Sequence, residues 1–357
     1  MRYDFLIIGG GIAGTSLGGR LASSGSVCLL EAEDAIGYHA SGRSAAMFLE
    51  NYGNDIVVEL NKASTLYHEK NGYLSDRGLL SLARNQDHDD FFHEVNALNL
   101  EIISVNEALD LFPIINTNSV KYVSFMKYAP DLDTDKILQD FAKIIKQNNG
   151  EIKNKTTVTK IKRFSSHWQV KTDKETFEGT ILINAAGAWV DKIAKMANVK
   201  ELGFTPMRRS IARVPSPIKN DVSKLPMVHG AGDRWYAKPD AGAWLISPCE
   251  EEPMYPHDAF ADDLVLAEGI HRYSQMVNHE ITNMQTNWAG LRTFSQDRAL
   301  VIGFDKNDEG FFWFAGQGGY GFQTAPAASQ LASDLILRNK SNLTDGVIKA
   351  LSAKRFH

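Results

Sequence analysis

Phe5-Leu6-Ile7-Ile8-Gly9-Gly10-Gly11-Ile12-Ala13-Gly14 is the stretch that decides the fold. Four apolar residues in a row read as a short strand buried on both faces. Ile12 to Ser23 then reads as a helix with Leu17 and Leu21 on one face, stopping near Gly25. Val27-Cys28-Leu29-Leu30 is a second apolar run with Glu31 at its end. The unit is strand–helix–strand, and Gly9, Gly11 and Gly14 fall in G-x-G-x-x-G register. Gly9 permits the tight turn, Gly11 lets the backbone approach a pyrophosphate, and Gly14 lets the helix pack on the strand. Unpaired N–H groups at the helix start, near Ala13, offer a positive end to phosphates. Glu31, with Ala32 beside it, lies about 20 residues after Gly9, where an acid accepts ribose hydroxyls and repels a 2′-phosphate. A loop that merely turned the chain would not need the strand before, the helix after and the acid beyond.

The rest of the chain is ordinary globular material. It has 357 residues, a net charge of -5, 43% hydrophobic and 23% charged residues, which excludes disorder, collagen and coiled coil. The charge leaves no basic footprint for nucleic acid. Two isolated cysteines, Cys28 and Cys249, make neither a disulfide framework nor a zinc site. Asp4 precedes the first apolar run and glycines follow it, unlike a signal peptide. No apolar stretch approaches the ~18 residues that suggest a membrane span. The expected location is cytoplasmic, with a peripheral contact to the inner face of the cell membrane left open.

Two further strand-to-helix turns stand out. Ile181 to Asn184 runs into Ala185-Ala186-Gly187-Ala188-Trp189 and a helix from Val190 to Met196. Phe311-Phe312-Trp313-Phe314-Ala315-Gly316 leads through Gln317-Gly318-Gly319-Tyr320-Gly321-Phe322-Gln323-Thr324 into an Ala-rich helix ending near Leu337. Glycine-rich turns therefore open and close the chain. That predicts one discontinuous nucleotide-binding domain around a long ligand, with a second domain inserted. Leu132 to Gln147 reads as a helix of the first domain.

The fingerprint, the segment Gly37-Tyr38-His39-Ala40-Ser41-Gly42-Arg43-Ser44-Ala45-Ala46, the Asn184–Trp189 turn and the Gly318–Thr324 turn together resemble the FAD-dependent D-amino-acid oxidase/dehydrogenase superfamily. The nearest likeness is to bacterial D-arginine dehydrogenases, over nearly the whole chain. The resemblance implies an α/β fold: a Rossmann-like FAD-binding domain from 1–50, 131–206 and 289–357, and an inserted α+β substrate domain on an antiparallel sheet from 51–130 and 207–288. It implies that Ala40, Ser41, Gly42, Arg43, Ser44, Ala45, Ala46 and Met47 wrap the flavin and its phosphates. Val158 would contact the adenine, Gly187 the cofactor, and Gly318, Gly319, Tyr320, Gly321 and Phe322 the isoalloxazine. The last helix would aim its positive end at the flavin N1/C2=O edge and favour the anionic reduced ring. Glycines this dense are costly in a loop that holds no ligand. Leu291–Asp297 has no cysteine where relatives attach flavin, so the FAD is expected to be noncovalent.

The same resemblance places Arg292 as the substrate-carboxylate clamp, a task suited to a bidentate guanidinium. Tyr52 and Tyr236 look like its hydroxyl partners, and Arg209 and Gln323 match polar pocket positions. Two departures set the substrate pocket beside Gly319. Leu79 stands where D-arginine dehydrogenase has a Glu for the substrate guanidinium, and Met47 where it has a His. A cationic side chain would be desolvated at Leu79 without a partner, so neutral or apolar amino acids are expected. Asp76 would supply a carboxylate only in a shifted loop register.

The implied reaction is oxidation of an amino acid, D by resemblance only, by hydride transfer from Cα to flavin N5. The imino acid would hydrolyse to a 2-oxo acid and ammonia. Alternatives are oxidation of a 2-hydroxy acid, as in L-2-hydroxyglutarate oxidases with His39 as base, or of a secondary amine. A flavin-binding subunit without chemistry is a third. Oxygen, a quinone and an electron-transfer protein all remain open as acceptors. His88-Asp89-Asp90-Phe91-Phe92-His93 reads as a solvated acidic face rather than a metal site, and no metal is expected.

Overall fold

A computed structural model describes residues 2–219 and 221–356. Two sheets dominate it. The first has eight strands, with Val301–Phe304, Phe311–Ala315, Thr176–Asn184, Arg2–Ile8, Val27–Leu30 and Glu151–Lys153 side by side in that order. The five strands from Phe311–Ala315 to Glu151–Lys153 are parallel, and Val301–Phe304 closes one edge antiparallel. Val158–Arg163 and Trp168–Thr172 form an antiparallel extension of Thr176–Asn184.

The opening strand explains why its sequence is apolar without alternation. Phe5 and Ile7 join one core cluster and Leu6 and Ile8 another, on opposite faces of the sheet. Helix Ile12–Leu21 follows, two residues shorter than expected. Helix Thr134–Gln147 also starts two residues late, because Asp133 caps it through the Lys136 N–H at 2.9 Å. Asp131–Leu132 instead pairs with Leu74–Ser75.

The second sheet has nine strands. Glu252–Pro253, Thr205–Val214, Ala243–Ser247, Trp235–Asp240, Met227–Gly230, Leu79–Arg84, Val120–Met126 and Glu101–Ile103 lie side by side, and Thr286–Phe294 also pairs with Thr205–Val214. All neighbours are antiparallel except Met227–Gly230 with Leu79–Arg84. One face packs on helices Val105–Leu111 and Asp263–Ser274. Thr286–Phe294 pairs with Thr205–Val214 along its full length, so divisions at 206/207 and 288/289 fall inside paired strands. Sequence reading sees the returning glycine turn but not this ladder.

Helix Asp55–Lys70 also binds the two units together. It packs on helix Gly321–Leu337, in the same core cluster as helix Ile12–Leu21. Pro326 removes from Gly321–Leu337 the N–H that would meet the Phe322 carbonyl, and the neighbouring helix bonds the next pair of backbone groups. Ser64 Oγ accepts from Ala327 N at 3.1 Å, and His68 Nε2 donates to the Gln323 carbonyl at 2.9 Å. Burial lowers the His68 pKa, keeping the ring neutral with its proton on Nε2. Among the described residues, no helix is long and apolar enough to cross a membrane.

Candidate functional site

Two adjoining cavities lie between the sheets, of about 500 Å³ and about 450 Å³. Gly11, Ala40, Ser41, Arg43, Gly187 and Gly290 line both, so together they form one long cleft.

The smaller cavity sits over the C-terminal ends of the parallel strands. Gly9, Glu31, Ala32 and Val158 line it. Gly9 has φ +108, and a Cβ there would meet the Ala185 carbonyl oxygen at 2.3 Å. A Cβ on Gly14 would stand 2.0 Å from the Gly9 carbonyl oxygen, so that glycine serves the turn and lines neither cavity. Glu31 accepts Gly10 N at 2.7 Å on Oε2 and Glu33 N at 2.9 Å on Oε1, leaving further lone pairs on each oxygen. Ser41 Oγ accepts Ile12 N at 3.0 Å, at the free start of the first helix. Trp189, at the end of the Asn184–Trp189 turn, completes this wall with Lys192, Met196 and His257, three residues for which no motif spoke.

Of the expected contacts, Arg43 lines both cavities while Gly42 and Tyr320 line neither. Arg43 spends its guanidinium on Asp258 at 2.5 Å, Ala259 O at 2.9 Å and Ala289 O at 2.8 Å, stitching the segment to the second sheet. Gly42 lines neither cavity and closes a turn onto Gly37 O at 2.6 Å. Tyr320 also lines neither, its ring packing on Tyr52 and Phe294 at 5.5 and 6.1 Å. His39 lies in the smaller cavity, against Trp189 at 4.6 Å and Glu33 at 2.9 Å, away from Arg292.

The larger cavity is floored by one face of the second sheet. Side chains alternate along a strand, and directly opposed residues share a face. Arg292 opposes Met207, and Arg209 and Ile211 follow at alternate positions on that strand. Tyr236 opposes His229, which is in register with Ser81, while Met227 is in register with Leu79. Arg292, Arg209, Ile211, Tyr236, His229, Met227 and Leu79 all line the cavity. Its roof comes from the other unit: Ala13, Ser44, Ala45, Ala46, Met47, Gly318, Gly319, Gly321, Phe322 and Gln323, with Tyr52 at one side. Gln323 accepts Leu49 N at 3.4 Å and donates to Tyr52 O at 3.5 Å, tying the Tyr52 loop to the last helix.

The charges are unevenly satisfied. The Arg292 guanidinium has no hydrogen bond or ion pair with any described residue. Arg209 is 6% exposed, its nearest carboxylate is Glu251 at 3.4 Å, and its Nε has no partner. Burial alone would lower the Arg209 pKa, but Cys249, Asp233, Tyr236 and Tyr52 raise it overall, so it stays cationic. Burial raises the Tyr236 pKa beyond what Arg292 and Arg209 take back, so its hydroxyl stays protonated.

Helix His88–Leu98 departs from the sequence reading. Asp90, His93 and Glu94 line the cavity rather than facing solvent alone, and His229 meets Glu94 at 2.8 Å. That approach is out of line with the ring N–H, so it is an ion pair more than an aligned hydrogen bond. Asp76 is exposed and outside the wall, so the shifted register does not occur. The carboxylate near Leu79 is Glu94, which comes from a separate segment. No metal-binding group of His, Cys, Asp or Glu exists among the described residues.

Residues 4–335 match the sequence profile of the family described as FAD dependent oxidoreductase. The chain belongs to that family. It is 24% identical over 357 residues to glycine oxidase of Bacillus licheniformis, covering 95% of this chain and 94% of that protein. The structure resembles glycine oxidase from Geobacillus kaustophilus with TM-score 0.82 and 21% identity, over 98% of both chains. It resembles L-proline dehydrogenase from P. horikoshii with TM-score 0.84 and 22% identity, over 99% of this chain and 98% of that one. At these identities the structural likenesses speak for the fold.

This FAD-dependent oxidoreductase has a cleft that fits its cofactor. Around Gly187, with φ +53, a Cβ would meet nothing within 4 Å, so the backbone leaves open space where the two cavities join. The long cleft, the acid at one end and the free helix start near its middle suit a dinucleotide. Cys28 and Cys249 line neither cavity, so neither stands where it would bond a flavin.

Proposed function

We propose that this FAD-dependent oxidoreductase oxidises the Cα–N bond of an amino acid, giving an imino acid that hydrolyses to a 2-oxo acid and ammonia. One observation carries the reading: Arg292 is an unpartnered guanidinium open to a cavity roofed by the glycine turn Gly318–Gly321. An unpaired cation at a protein wall is costly unless a ligand supplies the anion. When bound, FAD supplies the two-electron acceptor.

In this reading Arg292 grips the substrate carboxylate in two parallel hydrogen bonds. The Tyr236 hydroxyl, kept protonated by burial, donates to the same group, with Tyr52 on the other side. Arg209 adds a second fixed positive charge. Gln323 holds the Tyr52 loop in place, and Met47, Leu79 and Met227 keep water from the substrate's side chain. The likeness to D-arginine dehydrogenase supports D-configuration, and the glycine oxidase relative supports an amine. His39, the base invoked for a 2-hydroxy acid, lines the other cavity, which favours the amine over that alternative.

Anaerobic mixing of the holoenzyme with D- and L-amino acids, N-methylated amines and 2-hydroxy acids tests the reading. Bleaching of the yellow flavin by an amino acid supports it. Bleaching by a 2-hydroxy acid alone overturns it.

A further inference from the structure

We infer that His229 and Glu94 form a distal subsite that takes a hydrogen-bond acceptor oxygen at the end of the substrate away from its clamped carboxylate. The inference rests on the amino-acid reading and names its side-chain class: amide- or carboxylate-bearing rather than purely hydrocarbon.

Position comes first. Tyr236 and His229 are register partners on neighbouring strands and face the same cavity. The next strand lies about 5 Å away, which matches the span from an amino acid's carboxylate to a side-chain oxygen two or three carbons out. Leu79, Met227 and Leu98 line the same cavity and suit the intervening methylenes.

Chemistry comes next. The carboxylate of Glu94 is already engaged, with His229 at 2.8 Å, Gly232 N at 3.2 Å and Ser81 Oγ at 3.4 Å. It has little left to offer a substrate cation. The imidazole is different. Its Nε2 faces Glu94, while Nδ1 has no partner among the described residues and is not among the buried unsatisfied atoms. Burial would neutralise the ring, but the Glu94 and Asp233 charges raise its pKa overall. A protonated ring leaves Nδ1–H as a charge-assisted donor open to the cavity. Asp90 is matched by Arg234 at 2.9 Å, and the Asp233 charge acts on both Arg209 and His229, where it favours the protonated ring rather than occupying Nδ1.

The test compares matched amino acids on the holoenzyme: glutamine and glutamate against 2-aminohexanoate, each in the reactive configuration. The acceptor-bearing substrates are expected to lead by about tenfold or more in kcat/KM. His229→Phe should bring that ratio near one, and His229→Gln, which keeps a donor, should restore part of it. Glutamate above glutamine marks a carboxylate ligand, and the reverse order an amide. A ratio near one in the unaltered enzyme overturns the inference. A second readout needs no turnover: perturbation of the oxidised flavin spectrum by glutarate against pentanoate. Tighter glutarate binding that His229→Phe abolishes supports the subsite even if no amine is oxidised. Equal binding of the two overturns it, whatever the fate of the amine reading.

Discussion

The guanidinium of Arg292 lies against the backbone of Gly319: a Cβ on that glycine would stand 3.1 Å from Nη1 and 3.3 Å from Cζ. The turn that roofs the cavity thus also fixes the place of its unpartnered cation. Gly319→Ala is expected to push the guanidinium aside while FAD stays bound. kcat/KM should fall about 10- to 100-fold, as a misplacement near 1 Å typically costs. Steady-state kinetics beside flavin content checks this; unchanged kinetics would separate the two residues.

Gly14→Ala is expected to act earlier, on cofactor retention. The added carbon would collide with the Gly9 carbonyl oxygen at 2.0 Å, and that atom belongs to backbone that has no freedom to move. The variant should purify pale or misfolded. The ratio of flavin to protein absorbance, with circular dichroism to confirm folding, gives the answer.

His68→Leu is expected to lower thermal stability and weaken FAD binding together. It strips the Gln323 carbonyl of its 2.9 Å donor in a buried place. An unsatisfied buried carbonyl costs ~1–3 kcal/mol, and in a protein this large each kcal/mol shifts Tm by roughly 2–4 °C. His68→Asn, which keeps an N–H, should recover part of the loss. Melting curves with and without added FAD test both halves.

Acid sensitivity should track the tie between Asp297 and Arg355. Burial alone would raise the Asp297 pKa, but Arg355, Ser295 and the Ala299 N–H bring it down to about 2. A depressed folded value means stability present above the ordinary carboxylate range, near 4, and lost as pH falls from there toward about 2. The carboxylate is half exposed, so the effect is modest and screened by salt. Asp297→Asn should flatten that acid limb, which Tm measured from pH 5 to pH 2 reads directly.

Much of the first unit was legible because its signals are local. Phe5–Ile8 is buried on both faces and needs no alternation, and Gly9, Gly14 and Glu31 sit at fixed offsets from it. The turn into Gly321–Leu337 showed itself through glycines that serve a backbone purpose. The floor of the larger cavity was legible only where resemblance supplied it, at Arg292, Arg209, Tyr236 and Leu79. His229 escaped notice because its meaning depends on register with Tyr236 and Ser81, set by distant strands. Glu94 escaped because helix His88–Leu98 carries acids on several faces, and sequence cannot tell which one turns inward. The resemblance implies Gly42 and Tyr320 as cofactor contacts along with their neighbours, but both lie outside the cavity lining, where turn closure and aromatic packing engage them.

The parallel sheet places Phe311–Ala315 beside Thr176–Asn184, which itself flanks Arg2–Ile8. During synthesis the first of these strands to leave the ribosome must therefore wait for nearly the last. Helix Gly321–Leu337 docks on Asp55–Lys70 only then. A nascent chain cut short before that helix lacks the turn above Arg292 and one wall of the larger cavity, so acquisition of colour is expected to report synthesis through that helix rather than any earlier folding step.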